Sequence, residues 1–435
     1  MTAPSIQVLV GFQTTTSFGQ PFQLDDAVYG LLDTGTLGGL AFADLTSLVE
    51  SVNITRGRSR QLDQFNAGTA TVTFNNSSRI LDPLNTSSIY YPYVLPRCPI
   101  QILANGIPIY TGLITDWNLD YDIASNGDRM YAACSDAFTV LANTTLTAHT
   151  VAEQATGQRI DAVLNYTEVV YQGAKSIDTG TSTLGASATS SGFNIADGTN
   201  LLTYLQLVNT SEQGYLFMAA DGTLTFKGRS SVLNPVSGAT FSYTGSIPYQ
   251  TLLNSYGDEL LYNYIVTQSP AGVQQITSDA DSIAQYQSQS LNLTNLLNST
   301  VAEVAGLGNY LLGKYKNPVL RFTNVSTQMA ALSTVNQNIC FNLDLTSIAT
   351  VVKNFNVGTP ATESQTLIVS GIAHNITPGS HIISYTFEST DGNQYFTLDD
   401  SIFGILAGLS YDANVQYDQV GLIYDNSSNG NLLGF

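Results

Sequence analysis

Charge is scarce in this chain, and positive charge most of all. Only 11% of its 435 residues are Asp, Glu, Lys or Arg, against roughly a quarter in ordinary globular proteins. Lys and Arg together number 14 against 33 Asp and Glu, for a net charge of −19. That balance excludes a nucleic-acid-binding groove, because gripping phosphates takes clustered cations that displace counterions. It also argues against docking on anionic lipid. The polar surface must instead be built from Ser, Thr, Asn, Gln and Gly, a composition common in stable secreted or virion β-proteins.

Histidine and cysteine are equally thin. The three cysteines, Cys98, Cys134 and Cys340, are odd in number and widely spaced. They fit neither a zinc site nor a disulfide framework and read as free, buried thiols. Of the three histidines, His374 and His381 stand seven apart with Pro378-Gly379 between them. They read as polar residues flanking a turn between strands rather than as a metal or catalytic pair. No Gly-x-Ser-x-Gly elbow, Walker A loop or dinucleotide fingerprint is present. No apolar run has the length of a membrane span, and Met1 to Val10 has neither a basic region nor a long apolar core, so no signal peptide is expected.

What is abundant is strand-and-turn chemistry. The chain holds 36 Gly, 24 Tyr and 18 Phe, with Ser and Thr throughout. The length suggests about two to four domains. Short strands are predicted at Ser5–Val10, Ser51–Arg56, Thr69–Phe74, Gly112–Leu119 and Arg129–Ser135. Ile100–Ala104 and Ile107–Thr111 form a hairpin about Asn105-Gly106. Helices are expected at Val151–Leu164, at Leu201–Gly214 with Thr199 or Asn200 as cap, and after Thr300, whose capping box with Glu303 opens an apolar face of Val304, Leu307, Leu311 and Leu312 that Pro318 limits. Ser176–Gly192 reads as a flexible loop, and Tyr215–Met218 with Thr223–Phe226 as a hairpin about Asp221-Gly222. Further strands are predicted at Val319–Asn324, Asn338–Leu345, Gln365–Ala373, Ile382–Glu388 and Tyr395–Leu398.

Two acidic groups are candidate cation or glycosidase sites: Asp116, Asp120 and Asp122 around Trp117, and Asp279 with Asp281. Neither has the Gly and spacing of an EF-hand loop, and among 33 acidic residues some must fall close together. No catalytic, metal or cofactor residue is assigned, and no cofactor is expected.

The single cationic cluster is Arg56, Arg58 and Arg60, which strand alternation would put on one face. Two readings stand. The arginines make bidentate pairs with carboxylates of a neighbouring subunit, offsetting the self-repulsion of an acidic oligomer, or they are a solvated strand face.

That cluster, in Thr55-Arg56-Gly57-Arg58-Ser59-Arg60-Gln61-Leu62-Asp63, with the following Ala67–Asn76 and Leu81-Asp82-Pro83, resembles the N-terminal domain of the tail-tip (baseplate) hub proteins, or minor tail proteins, of long-tailed bacteriophages. Further segments agree in order: Cys98–Trp117, Gly214–Arg229, Asn263–Thr267 with Asp281–Tyr286, Val369–Gly379 and Phe396–Leu406. Where the family often has Gly after the Tyr of the Ser-Ile-x-x-Tyr segment, Gln287 stands here. The stretch 408–435 matches nothing in the family.

The resemblance implies a mainly β, multidomain fold with two β-barrel domains flanking an α/β middle. The expected domains are a first barrel at 1–147, an α/β domain with hairpin at 148–238, an α+β connecting domain at 239–328, a second barrel at 329–407 and an extension at 408–435. It implies a non-enzymatic virion protein, made in the host cytoplasm and placed at the tail tip. It further implies a homotrimer whose six barrels match a sixfold tail tube or distal tail protein above, and whose threefold axis matches a central spike, fibre or other tip protein below. DNA would pass through without specific binding, and no membrane anchoring is implied. A carbohydrate- or host-surface-binding adhesin, using some of the 24 tyrosines, is the alternative from another class; a cell-wall hydrolase is disfavoured by the shortage of His and of any recognisable nucleophile.

Overall fold

A computed structural model of the chain describes residues 3–12, 42–123, 127–231 and 238–390, together with the backbone of 415–417 and 423–425. Residues 1–390 form one compact unit; 391–435 form another, in which Val415–Tyr417 pairs antiparallel with Ile423–Asp425. The strand expected at Tyr395–Leu398 lies outside the described residues.

The fold is mainly β, as the composition and the resemblance predict. Seven strands make the first β-region: β1 (Ile6–Gly11), β2 (Phe42–Asp44), β3 (Val49–Gly57), β4 (Asn66–Asn75), β5 (Cys98–Ala104), β6 (Ile107–Asp120) and β7 (Arg129–Ser135). They hydrogen-bond in the order β2-β1-β5-β6-β7-β4-β3. Alternation explains them. In β4 the buried positions are Gly68, Ala70, Val72 and Phe74, and in β5 Cys98, Ile100, Ile102 and Ala104, every second residue turned inward. The β5–β6 turn is the expected one: Asn105 and Gly106 both take positive φ, 52° and 79°, as a tight two-residue hairpin requires.

The second β-region is not continuous in sequence. It takes Ala239–Ser242, Thr251–Ser255, Arg321–Gln328, Ile348–Asn354, Thr362–Thr377 and Ser380–Ser389, while the strands between 264 and 293 form a separate three-stranded sheet. The strand Thr362–Thr377 joins the two regions by changing partner along its length. Its first half pairs with Ile348–Asn354; beyond a bulge between Val369 and Gly371 its second half pairs antiparallel with β3, from Gly57 opposite Gly371 to Val52 opposite Ile376. The bulge bends and re-aims the strand, and one 13-stranded sheet results.

The middle of the chain carries the helices. After the short α1 (Phe138–Ala142) come α2 (Thr156–Leu164) and α3 (Leu201–Glu212), which pack beside the Tyr215–Met218/Leu224–Lys227 hairpin. The expected Val151–Leu164 helix starts later, because Gln154–Ala155 is taken by a short ladder with Thr183–Leu184. Ser176–Gly192 is not the free loop its composition suggests. Lys175–Ile177 pairs parallel with the hairpin, and the buried Glu212 carboxylate accepts hydrogen bonds from Thr181 N, Ser182 N and Thr156 Oγ1. At the end of α3 it is Gln213, not Gly214, that takes the left-handed cap (φ 55°).

A second small core, Ile265, Leu296, Leu307, Leu311 and Tyr315, is built by α5 (Val301–Tyr315) against the three-stranded sheet around Tyr264–Gln268, and α4 (Ala280–Tyr286) lies between the strands of that sheet in sequence. Thr300 caps α5 as its sequence predicts, accepting from Glu303 N at 3.2 Å. Gln287 ends α4 at φ 63°, so a non-glycine residue bears the backbone conformation that glycine ordinarily supplies. The strand expected at Asn338–Leu345 is instead α6 (Thr334–Phe341). Ser333 caps it through Asn336 N, and Gln337, Cys340 and Phe341 fall on one buried face, so helical spacing overrides the strand preference of Ile339, Cys340 and Phe341.

Candidate functional site

The arginine cluster sits where the two β-regions meet, and the structure divides its members. Strand β3 ends at Gly57, which has φ 97° and lies so close to the partner strand that a Cβ would fall 2.2 Å from the Ser370 carbonyl oxygen. The chain turns there, so Arg56, Arg58 and Arg60 do not share one strand face. Arg56 is 5% exposed; its Nη2 donates to Asp344 Oδ1 at 2.7 Å and to the Met218 carbonyl at 2.9 Å. Asp344 also accepts from Ala220 N and Leu345 N, so this one ion pair ties β3 to the hairpin of the middle region and to the chain after α6.

Arg58 forms the bidentate pair its chemistry favours, with a carboxylate of its own chain. Nε and Nη2 meet Glu388 Oε1 and Oε2 at 2.5 and 2.8 Å, and Nη1 donates to Asp63 O. The side chains are 9% and 1% exposed, and the guanidinium lies over Phe65 and beside Tyr215, 4.6 and 5.3 Å from the ring centroids. Burial alone would lower the Arg58 pKa; the Glu388 charge and hydrogen bonds outweigh it and hold the group above its usual range. Arg60 pairs with Glu259 at 2.7 Å on the surface, with side chains 54% and 59% exposed. The cluster therefore fastens the seam from within at Arg56 and Arg58, and only Arg60 offers its charge to solvent.

Other titratable groups line the same junction. Asp136 accepts from Gly68 N and Phe138 N; burial pushes its carboxyl up to about 7, against the pull of those two donors and of Arg56. His374 and His381 flank the Pro378-Gly379 turn as expected, but they are buried and touch: His374 Nδ1 lies 3.0 Å from His381 Nε2, and Phe341 stacks on His381. One proton between them satisfies these two facing nitrogens in the neutral state, while His381 Nδ1 is buried without a hydrogen-bond partner. Burial brings His381 down to about 4 and His374 well below the ordinary imidazole range, with His381 and Arg56 pushing His374 the same way.

The acidic candidates do not converge. Asp116 and Asp120 lie along β6 opposite Ala133 and Arg129, four residues and so roughly 13 Å apart on a strand. Asp279 caps α4 through Ser282 N and pairs with Lys316; that backbone hydrogen bond, then Lys316, holds its carboxyl below the usual range. Among the described residues no three His, Cys, Asp or Glu side chains gather to hold a metal ion, and no helix is long and apolar enough to cross a membrane. Cys98, Cys134 and Cys340 are free and buried.

No protein-family model matches the chain, and no curated protein matches its sequence. Solved structures do match its fold. The tail protein from Neisseria meningitidis MC58 superposes with a TM-score of 0.54 at 11% identity, over 89% of this chain and 97% of that one. The 43 kDa tail protein of prophage MuSo2 from Shewanella oneidensis gives 0.52 at 11% identity, over 89% and 99%. At that identity the likeness is one of fold, and it extends over nearly the whole of both proteins. The chain has the fold of phage tail proteins.

Proposed function

We propose that this chain is a structural virion protein, the homotrimeric hub of a phage tail tip. It joins a sixfold tail tube or distal tail protein to a threefold spike, fibre or other tip protein and leaves a passage for DNA. The observation that carries the reading is the union of two β-regions in one chain, edge to edge through β3 and Thr362–Thr377. Three copies present six such regions, the number a sixfold neighbour requires. The tail-protein fold supports it.

Charge supports the passage. Arg56, Arg58, Arg60, Arg79, Arg129, Lys175 and Lys316 are each paired with a carboxylate of the same chain. Seven of the 14 cations are thus spent within the chain, and the excess of acid is left to repel phosphate. Light scattering coupled to size exclusion tests the assembly: the expected mass is three times 46.5 kDa. A monomer that binds sugars on a glycan array would replace the hub with the adhesin reading.

A further inference from the structure

The loop between β4 and β5 is the most apolar exposed stretch among the described residues. From Pro83 to Pro96 it carries no Asp, Glu, Lys, Arg or His. Leu84 and Ile89 are 75% and 76% exposed, and Tyr91, Tyr93 and Leu95 are exposed beside them. Tyr121, the first residue after β6, is half exposed and lies near Asp82 at the base of the loop, adding to the same patch. A patch of this kind marks an interaction surface rather than ordinary scatter.

The loop is also tied down. Asp82 Oδ1 accepts from Leu84 N, Asn85 Nδ2 donates to Arg79 O, Trp117 Nε1 donates to Leu95 O, and Tyr90 stacks on Phe12 with centroids 4.3 Å apart. A preformed apolar knob loses little ordering entropy on docking.

A receptor for it exists on the same chain. Pro4 and Ile6, Val49, Ile376 and Pro378 line an open groove of about 270 Å³. That is smaller than the roughly 300–1,000 Å³ of small-molecule pockets and suits aliphatic side chains. Knob and groove share the edge where β4 ends and β3 begins, while Pro4 and Ile6 of the groove lie toward the opposite end of β1 from Phe12, on which Tyr90 stacks. Phe74 of β4 stands opposite Val49 of β3, so the loop leaving β4 emerges where Val49 begins the groove wall. A head-to-tail contact of this kind makes a ring where the rotation between copies closes.

Charge points to the same occupant. Two copies carrying −19 each repel, and a charge-free loop is where they can touch. Arg97, exposed at the foot of the loop, has no ion-pair partner among the described residues, while Glu50 lies on the groove wall.

We propose that the β4–β5 loop inserts Leu84 and Ile89 into the β1–β3 groove of a second copy of this chain, head to tail; this rests on the trimeric reading above. The test uses the full chain. Leu84→Asp with Ile89→Asp should convert the trimer to a 46.5 kDa monomer that keeps the wild-type circular-dichroism spectrum and a cooperative unfolding transition. Ile89→Cys with Thr377→Cys, treated with a short bismaleimide, should give a covalent ladder that closes at three, while either single variant gives none. The native cysteines are buried and do not compete. A monomeric wild type overturns the trimer and this contact together. A trimeric wild type whose double-Asp variant stays trimeric, with no link between positions 89 and 377, overturns this contact alone and assigns the loop to a different tail protein.

Discussion

The seam between the β-regions and the β4–β5 loop solve opposite problems with opposite chemistry. At the seam, β3 and Thr362–Thr377 pair backbone to backbone, and two arginines are buried against Asp344 and Glu388. The loop offers Leu84, Ile89 and tyrosines to solvent and carries no charge from Pro83 to Pro96. A chain with few cations has placed two of them inside, at Arg56 and Arg58, where a lost partner is costly and geometry is fixed, and carries none from Pro83 to Pro96. The difference yields a separation of effects: damage at the seam should read out as stability, and damage at the loop as oligomeric state.

The largest effect expected is at Arg58 and Glu388. Either Arg58→Ala or Glu388→Ala leaves a buried charge unpaired, which costs about 3–5 kcal/mol. Replacing both, Arg58→Met with Glu388→Leu, should recover most of that, since apolar side chains of similar size carry no desolvation penalty. Urea unfolding of the wild type and the three variants makes the comparison. If each single variant lost less than about 1 kcal/mol, the range of surface pairs, the pair would not fasten the seam, and the contrast with the loop would fail.

Next comes pH, which should act on the seam and spare the loop. His374 and His381 are held below their unfolded values. Above about pH 6.5 both are neutral folded or unfolded and nothing is lost. As pH falls below that, the unfolded chain takes up protons that the folded chain refuses, and stability declines until His381 itself protonates near 4. The slope is at most about 1.4 kcal/mol per pH unit for each imidazole. Asp136 has the opposite sign. Its folded pKa is raised to about 7, so its contribution is full at low pH and is lost as pH climbs from about 4 to 7. His381→Gln isolates one imidazole. The stability difference between wild type and variant should be constant above pH 6.5 and shift against the wild type below it. A difference that stays flat to pH 4 would show that His381 titrates alike in both states.

Legibility in the sequence followed the range of the interactions. The β5–β6 hairpin, the Asp221-Gly222 hairpin and the capped helix α5 are set by residues two to four apart, and all three stand where the sequence puts them. The second β-region was poorly legible because its pairings span the chain: Ala239 lies beside Ala349, and Thr251 beside Ser326. Helix α6 was misread as a strand because Ile339, Cys340 and Phe341 have strand preferences that a Ser333 cap and one buried helical face overrule. The arginine cluster was visible as a cluster, but its partners were not: Asp344 and Glu388 stand 288 and 330 positions from the arginines they hold. The apolar loop could have been found, since an unbroken charge-free run from Pro83 to Pro96 is plain in the sequence.

Arg60 lies between the two kinds of surface and gives the smallest and most discriminating prediction. It shares the cluster with Arg56 and Arg58, yet its pair with Glu259 is more than half exposed on both sides. Solvent screening and side-chain entropy limit such a pair to about 0–1 kcal/mol. Arg60→Ser should therefore leave the urea midpoint nearly unchanged, unlike Arg58→Ala. The informative quantity is the mass in solution. An unchanged mass would make Arg60 a solvated pair and confine the cluster to holding the chain together. A drop in mass with stability intact would mean that Arg60 exchanges Glu259 for a carboxylate on a neighbouring subunit, so that the three arginines divide, two for the seam and one for assembly. A large loss of stability would contradict the exposure of the pair and extend the seam to include Glu259.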